Sequence, residues 1–160
     1  MSTTTSAQQS IGARTNVAPW QGGVVGGLLG ALVFGVLMSL VSPGVIENAI
    51  PALYGLGTPA GITGWAIHMS HGAVLGVVFA ALADTDGIDQ GLATNLDNAF
   101  AGLVYGLLVW AALAVVLMPI WLGAVGFSGA PSVPNIGTTS LGGHALYGIV
   151  LGLSYSVLSD

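Results

Sequence analysis

The sequence predicts an all-α membrane protein with four transmembrane helices, built as two tandem helical hairpins related as a parallel repeat. Three observations carry this prediction. The first is charge: of 160 residues, 54% are hydrophobic and 4% charged, against roughly 25% charged in soluble domains. The second is where the charges fall. Arg14, Glu47, Asp84, Asp86, Asp89, Asp97 and Asp160 are all of them. The uncharged runs 15–46, 48–83 and 98–159 are long enough for four helices of about 20 apolar residues each. The third is a duplicated row of small residues. Every fourth residue from His68 reads His68, Gly72, Gly76, Ala80, Asp84. The same step from His144, 76 positions later, reads His144, Gly148, Gly152, Ser156, Asp160.

In chain order, residues 1–18 are small and polar without apolar periodicity and read as a disordered tail, leaving 19–160 as one transmembrane domain. The first helix is expected over about 20–42, anchored by Trp20 at the interface and ended by Ser42 before Pro43. Its Gly22, Gly26 and Gly30 recur every fourth residue. The connection 43–60 holds three prolines and Glu47. Its IENAIPALYGL stretch suits a short interfacial helix that Pro51 interrupts. The second helix is expected over 62–84, with Thr63 as a cap and Trp65 at the interface.

Asp84, Asp86, Asp89 and Asp97 fall in the loop 84–97, which must lie in water. The third helix is expected over 98–118, extending towards Leu122 past a kink at Pro119. Residues 123–140, rich in Gly, Pro, Ser and Thr, read as a loop. The fourth helix starts at Ser140 and ends at Asp160. Four crossings put both long connections on one side of the membrane, and the termini with the acidic loop on the other. Arg14, the one positive charge, places the termini in the cytoplasm by the positive-inside rule, which gives a multi-pass protein of the cell membrane.

The duplication extends to the first and third helices at an offset of 80. Gly22, Gly26, Leu28, Ala31, Val36, Leu37 and Met38 meet Gly102, Gly106, Leu108, Ala111, Val116, Leu117 and Met118. Trp110 meets Gly30, so the halves have diverged in packing. Repeat 1 covers about 20–84 and repeat 2 about 98–160. Each repeat crosses the membrane twice, so both enter from the same side, and the copies are related by an axis along the membrane normal. Lipid gives helices no hydrophobic reason to associate, and small residues let backbones approach. Gly22, Gly26, Gly72, Gly76, Gly102, Gly106, Gly148 and Gly152 are therefore the expected packing residues, along rows that drift about 40° per four-residue step.

Composition also narrows function. Without cysteine there are no disulfides and no thiolate metal sites. One arginine and no lysine leave no basic patch for nucleic acid. A net charge of -5 without lysine suits a salt-rich, halophilic cytoplasm. There is no G-x-S-x-G elbow, P-loop or H-E-x-x-H, so no enzymatic activity and no catalytic residues are expected.

The candidate site is the histidine layer, because polar groups within membrane helices are costly and often functional. His68, His71 and His144 are the only histidines, and His68 and His144 are repeat mates. His71 lies one turn beyond His68, Met69 is adjacent, and Met38 and Met118 end their helices at the same membrane face. Three readings stand. The imidazoles bond to backbone or to Ser70, Thr63 or Ser140 and are structural. Alternatively they hold a metal or b-type haem, copper being the natural metal for mixed His and Met ligands. In the third they serve a proton or small-solute path, although Asp84 and Asp160 sit four turns away at the opposite face. Trp65, Trp121, Tyr54 and Tyr155 read as interfacial belts.

Through the H-x-x-x-G-x-x-x-G rows at 68–76 and 144–152 and its charge-poor composition, the chain over 20–160 resembles the small glycine-rich four-helix membrane proteins of salt-loving archaea. It is more loosely similar to the YagU-like bacterial inner-membrane proteins. That resemblance implies a four-helix membrane fold and supplies no catalytic residues. The function expected is a scaffold, an accessory subunit or a small-solute conduit without a cofactor, associating as a homo-oligomer or with another membrane subunit. A redox or metal-binding protein carrying haem b or copper is the alternative.

Overall fold

The computed structural model describes residues 17–159, and among them all regular secondary structure is helical. The tail expected over 1–18 lies outside the described residues apart from Val17 and Ala18; Arg14 and Asp160 lie outside them too. Four helices are long and apolar enough to cross a membrane: Pro19–Val41, Gly61–Ala83, Asn95–Ala124 and Thr138–Ser159.

Helix α1 (Pro19–Val41) opens on a proline whose missing N–H is no loss at the first helical position. The Ala18 N–H donates to the Gln21 side-chain oxygen at 2.9 Å. The chain then stays helical where an interruption was expected, through a π-helical segment Val45–Ala49 and the short α2 (Ile50–Ala52). Pro51 has no N–H, and its ring crowds the carbonyl four residues back, that of Glu47. That carbonyl finds a distant partner instead, the Ala60 N–H at 2.8 Å. Helix α3 (Gly61–Ala83) starts directly after Ala60. Thr63 is inside the helix rather than its cap, and the Ala60 carbonyl takes the Gly64 N–H at 2.8 Å.

The third span comprises α4 (Asn95–Val109), a π-helical segment Trp110–Leu117 and α5 (Met118–Ala124). It starts before the expected residue 98 because Thr94 caps it. Thr94 Oγ1 accepts from the Asp97 N–H at 3.1 Å, and the Asp97 carboxylate accepts from the Thr94 N–H at 3.0 Å. This reciprocal pair satisfies two orphan donors. Pro119 does not end the helix. The wide π turns precede it, and the carbonyl four residues back, Val115, accepts the Asn135 N–H at 2.9 Å. Helix α6 (Thr138–Ser159) begins two residues before Ser140.

Glycines decide which spans touch. Gly23 and Gly27 of α1 press on the backbone of Gly76 and Gly72 in α3. One position earlier on the same helix, Gly22, Gly26 and Gly30 face α6. A β-carbon there would lie 2.5 Å from Ser159 Oγ, 3.0 Å from the Leu151 carbonyl oxygen and 2.7 Å from that of Tyr147. Gly102 and Gly106 meet the carbonyls of Gly148 and His144, and Gly152 meets Asn98. Adjacent residues lie about 100° apart on a helix, so the two rows of α1 serve two neighbours. The resulting order in space is α3, α1, α6, α4. Helix α3 and the third span lack a shared glycine seam. They reach each other through side chains, with the Tyr105 hydroxyl donating to the Leu75 carbonyl at 2.7 Å and the Phe79 and Tyr105 rings 5.4 Å apart. The four spans thus form an arc with a gap between its ends.

Candidate functional site

The gap widens, towards the long connections, into a cavity of about 1460 Å³. Its walls come from every span and from both π-helical segments. α1 gives Phe34 and Met38, α3 gives His68, His71 and Leu75, and the third span gives Leu113, Ala114 and Met118. Asn48, Tyr54, Asn135 and Ser140 line the end near the connections, with His144 and Tyr147 from α6. π-Helical turns are rare and recur at functional sites. Here each is stabilised by the same means, a proline-freed carbonyl bonded to the connection that follows.

An aromatic layer closes the cavity on the acidic-loop side. The Tyr147 hydroxyl crosses the bundle to the Gly72 carbonyl at 2.8 Å, and Tyr105 reaches Leu75 as described. Phe79 packs edge-on against Tyr155 with centroids 5.5 Å apart. Tyr155 is therefore a buried member of this layer, not the interfacial residue expected from its position near the C-terminus.

The three histidines line this one cavity. His68, 8% exposed, contacts the Ala31 carbonyl oxygen through Nε2 at 2.9 Å. A carbonyl can only accept, so that nitrogen carries the proton and Nδ1 keeps its lone pair. By the same reasoning His144 donates from Nδ1 to the Ser140 carbonyl one turn back, at 2.8 Å, and keeps the lone pair of Nε2. The partner is the carbonyl of Ser140, not its hydroxyl. Ser70 donates to the Ala66 carbonyl within its own helix. His71 Nε2 and the Tyr54 hydroxyl are 2.6 Å apart at the exposed rim.

Phe34 packs against both His68 and His144. Its ring centroid is 5.6 Å from that of His68 and 4.8 Å from that of His144, edge-on to each. A metal or haem iron shared by His68 and His144 would be held by His68 Nδ1 and His144 Nε2, the nitrogens left with lone pairs. Among the described residues no three His, Cys, Asp or Glu side chains converge as a metal would need. Met38 and Met118 line the cavity, whereas Met69 does not and packs, partly buried, on the apolar core. Asp84 caps the far end of α3. No Asp, Glu, Lys or Arg is among the described residues lining the cavity.

Sequence reasoning missed Phe34, Tyr105, Tyr147, Asn48 and Asn135 as site residues. Tyr147 carried a usable signal, being one turn from His144 on the same helix face and polar in mid-membrane. Phe34 carried none, since one more aromatic in an apolar helix is ordinary. Compared with protein-family models, curated proteins and solved structures, the chain finds no match in any of the three.

Proposed function

We propose that this is a non-enzymatic multi-pass membrane protein that takes a membrane-borne molecule into the cavity between its second and third spans. The observation that carries this reading is the combination of an open side and a closed floor. Val74 and Leu117 on the cavity wall are 63% and 48% exposed, at positions within the apolar spans, so the cavity continues into the bilayer. The tyrosine layer beneath supports a receptacle rather than a through-going conduit. The histidines have no carboxylate beside them, and His68 and His144 each hold a backbone carbonyl, which supports binding over acid–base catalysis. A receptacle of this kind suits an accessory subunit or carrier. Organic extraction of the purified protein followed by mass spectrometry tests it. A molecule retained near one per chain in the wild type and lost in Val74→Trp, which plugs the open side, is the expected result. Retention of bulk lipid alone by both proteins would refute the reading.

The metal alternative has one observation behind it, that both repeat-mate imidazoles line one cavity and keep a free ring nitrogen. A Soret band or stoichiometric copper in the purified protein, absent from His68→Ala and His144→Ala, would establish it over the receptacle reading.

The architecture is read as a duplicated hairpin with both copies entering from one side, and three observations support this. α6 meets α4 as α3 meets α1 when α6 is set 76 residues after α3, and the contacts then match Gly27 with Gly102 and Ala31 with Gly106, an offset of 75. In each half a proline frees a π-helical carbonyl, that of Glu47 or Val115. In both, the partner N–H belongs to the residue after a second proline, Ala60 after Pro59 and Asn135 after Pro134. The sequence offset of 80 arose because α1 has glycine at both 22 and 27, either of which matches Gly102. All eight expected packing glycines are engaged within the chain. Association with a second copy or another subunit, part of this proposal, therefore uses another surface. Cytoplasmic termini and a halophilic setting complete it on the Arg14 and net-charge arguments above.

A further inference from the structure

We infer that the occupant is an uncharged amphiphile, with a hydroxyl or carbonyl head at the histidine end and an apolar body lying towards the gap between α3 and the third span. This rests on the receptacle reading and specifies its ligand. The lining changes character along the membrane normal. Near the connections it presents Asn48, Asn135, His71 and Ser140, and deeper it presents Leu75, Val109 and Leu113. A wholly apolar molecule would cover the upper polar groups without giving them partners, and a wholly polar one would waste the lower wall.

Formal charge argues against ionic amphiphiles at the head position. No carboxylate lines the cavity to meet an ammonium head, and no lysine or arginine to meet an anionic one, among the described residues. A charged head seated among these groups would give up water without gaining an ion-pair partner. The carboxamides of Asn48 and Asn135, in contrast, each offer donors and an acceptor, which suits a hydroxyl or a carbonyl equally. The volume of about 1460 Å³ exceeds the roughly 300–1,000 Å³ of small-molecule sites. It has room for a head and part of a chain, with the remainder leaving by the open side past Val74.

The test uses the full chain in lipid nanodiscs and three photoreactive probes. Each has the same alkyl chain bearing a diazirine, and they end in a hydroxyl, a carboxylate or a trimethylammonium group. Cross-linked peptides are located by mass spectrometry. The hydroxyl probe should label the segments 72–75 and 113–117 about tenfold more than either charged probe, the ratio set by leaving a charge unpaired. The double substitution Asn48→Leu with Asn135→Leu should abolish that preference while helicity and monodispersity are kept. Equal labelling by all three probes, or a preference for either charged head, overturns the uncharged-head inference and leaves the receptacle standing. Labelling of neither segment by any probe overturns both.

Discussion

Gly27 meets Gly72 and Gly102 meets Gly148 backbone against backbone, whereas Leu75 and Leu113 line an open cavity between α3 and the third span. All four segments are apolar helices of the same bundle, so hydrophobicity does not separate the seam from the gap. Spacing of small residues does. Where glycine recurs every fourth position on both partners, the backbones close and dispersion contacts accumulate. Where Val74, Leu75, Val109 and Leu113 stand instead, α3 and the third span hold apart and meet through Tyr105, which bonds the Leu75 carbonyl and packs on Phe79. α1 turns one glycine row towards each of its two neighbours, and α3 at the end of the arc turns its one row towards α1.

The sharpest way to break this comparison is to put a side chain into a seam. Gly72→Leu or Gly148→Leu would drive side-chain atoms into the Ala31 side chain or the Gly102 carbonyl. Overpacking of this kind costs about 1–3 kcal/mol, and more where backbone is struck. The expected outcome is loss of monodisperse protein in detergent. Gly142→Leu, on α6 where an added β-carbon meets nothing within 4 Å, should keep wild-type yield and melting temperature. Equal damage from both substitutions would remove spacing as the explanation.

A smaller effect is expected from the tyrosine hydrogen bonds beneath the cavity. Tyr147→Phe removes one hydrogen bond and should cost about 1 kcal/mol, read as a lowered melting temperature. Tyr105→Phe should cost the same, and the two losses should add if each bond acts alone. Thr94→Ala removes the cap of the third span and should also cost about 1 kcal/mol. It should leave the labelling of segments 72–75 and 113–117 unchanged, because it lies at the opposite end of that span. Least of all, Val74→Trp on the exposed rim should shift stability by less than about 0.5 kcal/mol while plugging the cavity. A large loss of stability there would mean that the gap is packed.

The four spans were legible because charges are so few that their absence outlines each helix, and the histidine rows were legible because three histidines stand out in an apolar chain. The third span's start was not, since Asp97 reads as a loop acid until its bond to Thr94 is seen. By local rules Pro51 reads as an interruption and Pro119 as a kink. Their freed carbonyls are satisfied by Ala60 and Asn135, and that pairing depends on where the following connection folds, which no local window contains. The second glycine row of α1, at 23 and 27, was hidden by the first, because Gly-Gly pairs fit either register. Asn98, buried and bonded to the Leu92 and Thr94 carbonyls at 2.9 and 3.0 Å, was assigned to the helix start without a role. Its side chain ties the acidic loop to the bundle.

The central claim is that the gap between α3 and the third span is open to the bilayer above the tyrosine layer. It is tested most directly by intermolecular nuclear Overhauser effects between protonated lipid acyl chains and methyl groups of otherwise deuterated protein in nanodiscs. The account predicts cross-peaks from acyl chains to the Leu75 and Leu113 methyls, comparable to those of the exposed Leu108, and none to Leu151, which is 0% exposed between α1 and α6. Silence at Leu75 and Leu113, matching Leu151, would contradict it.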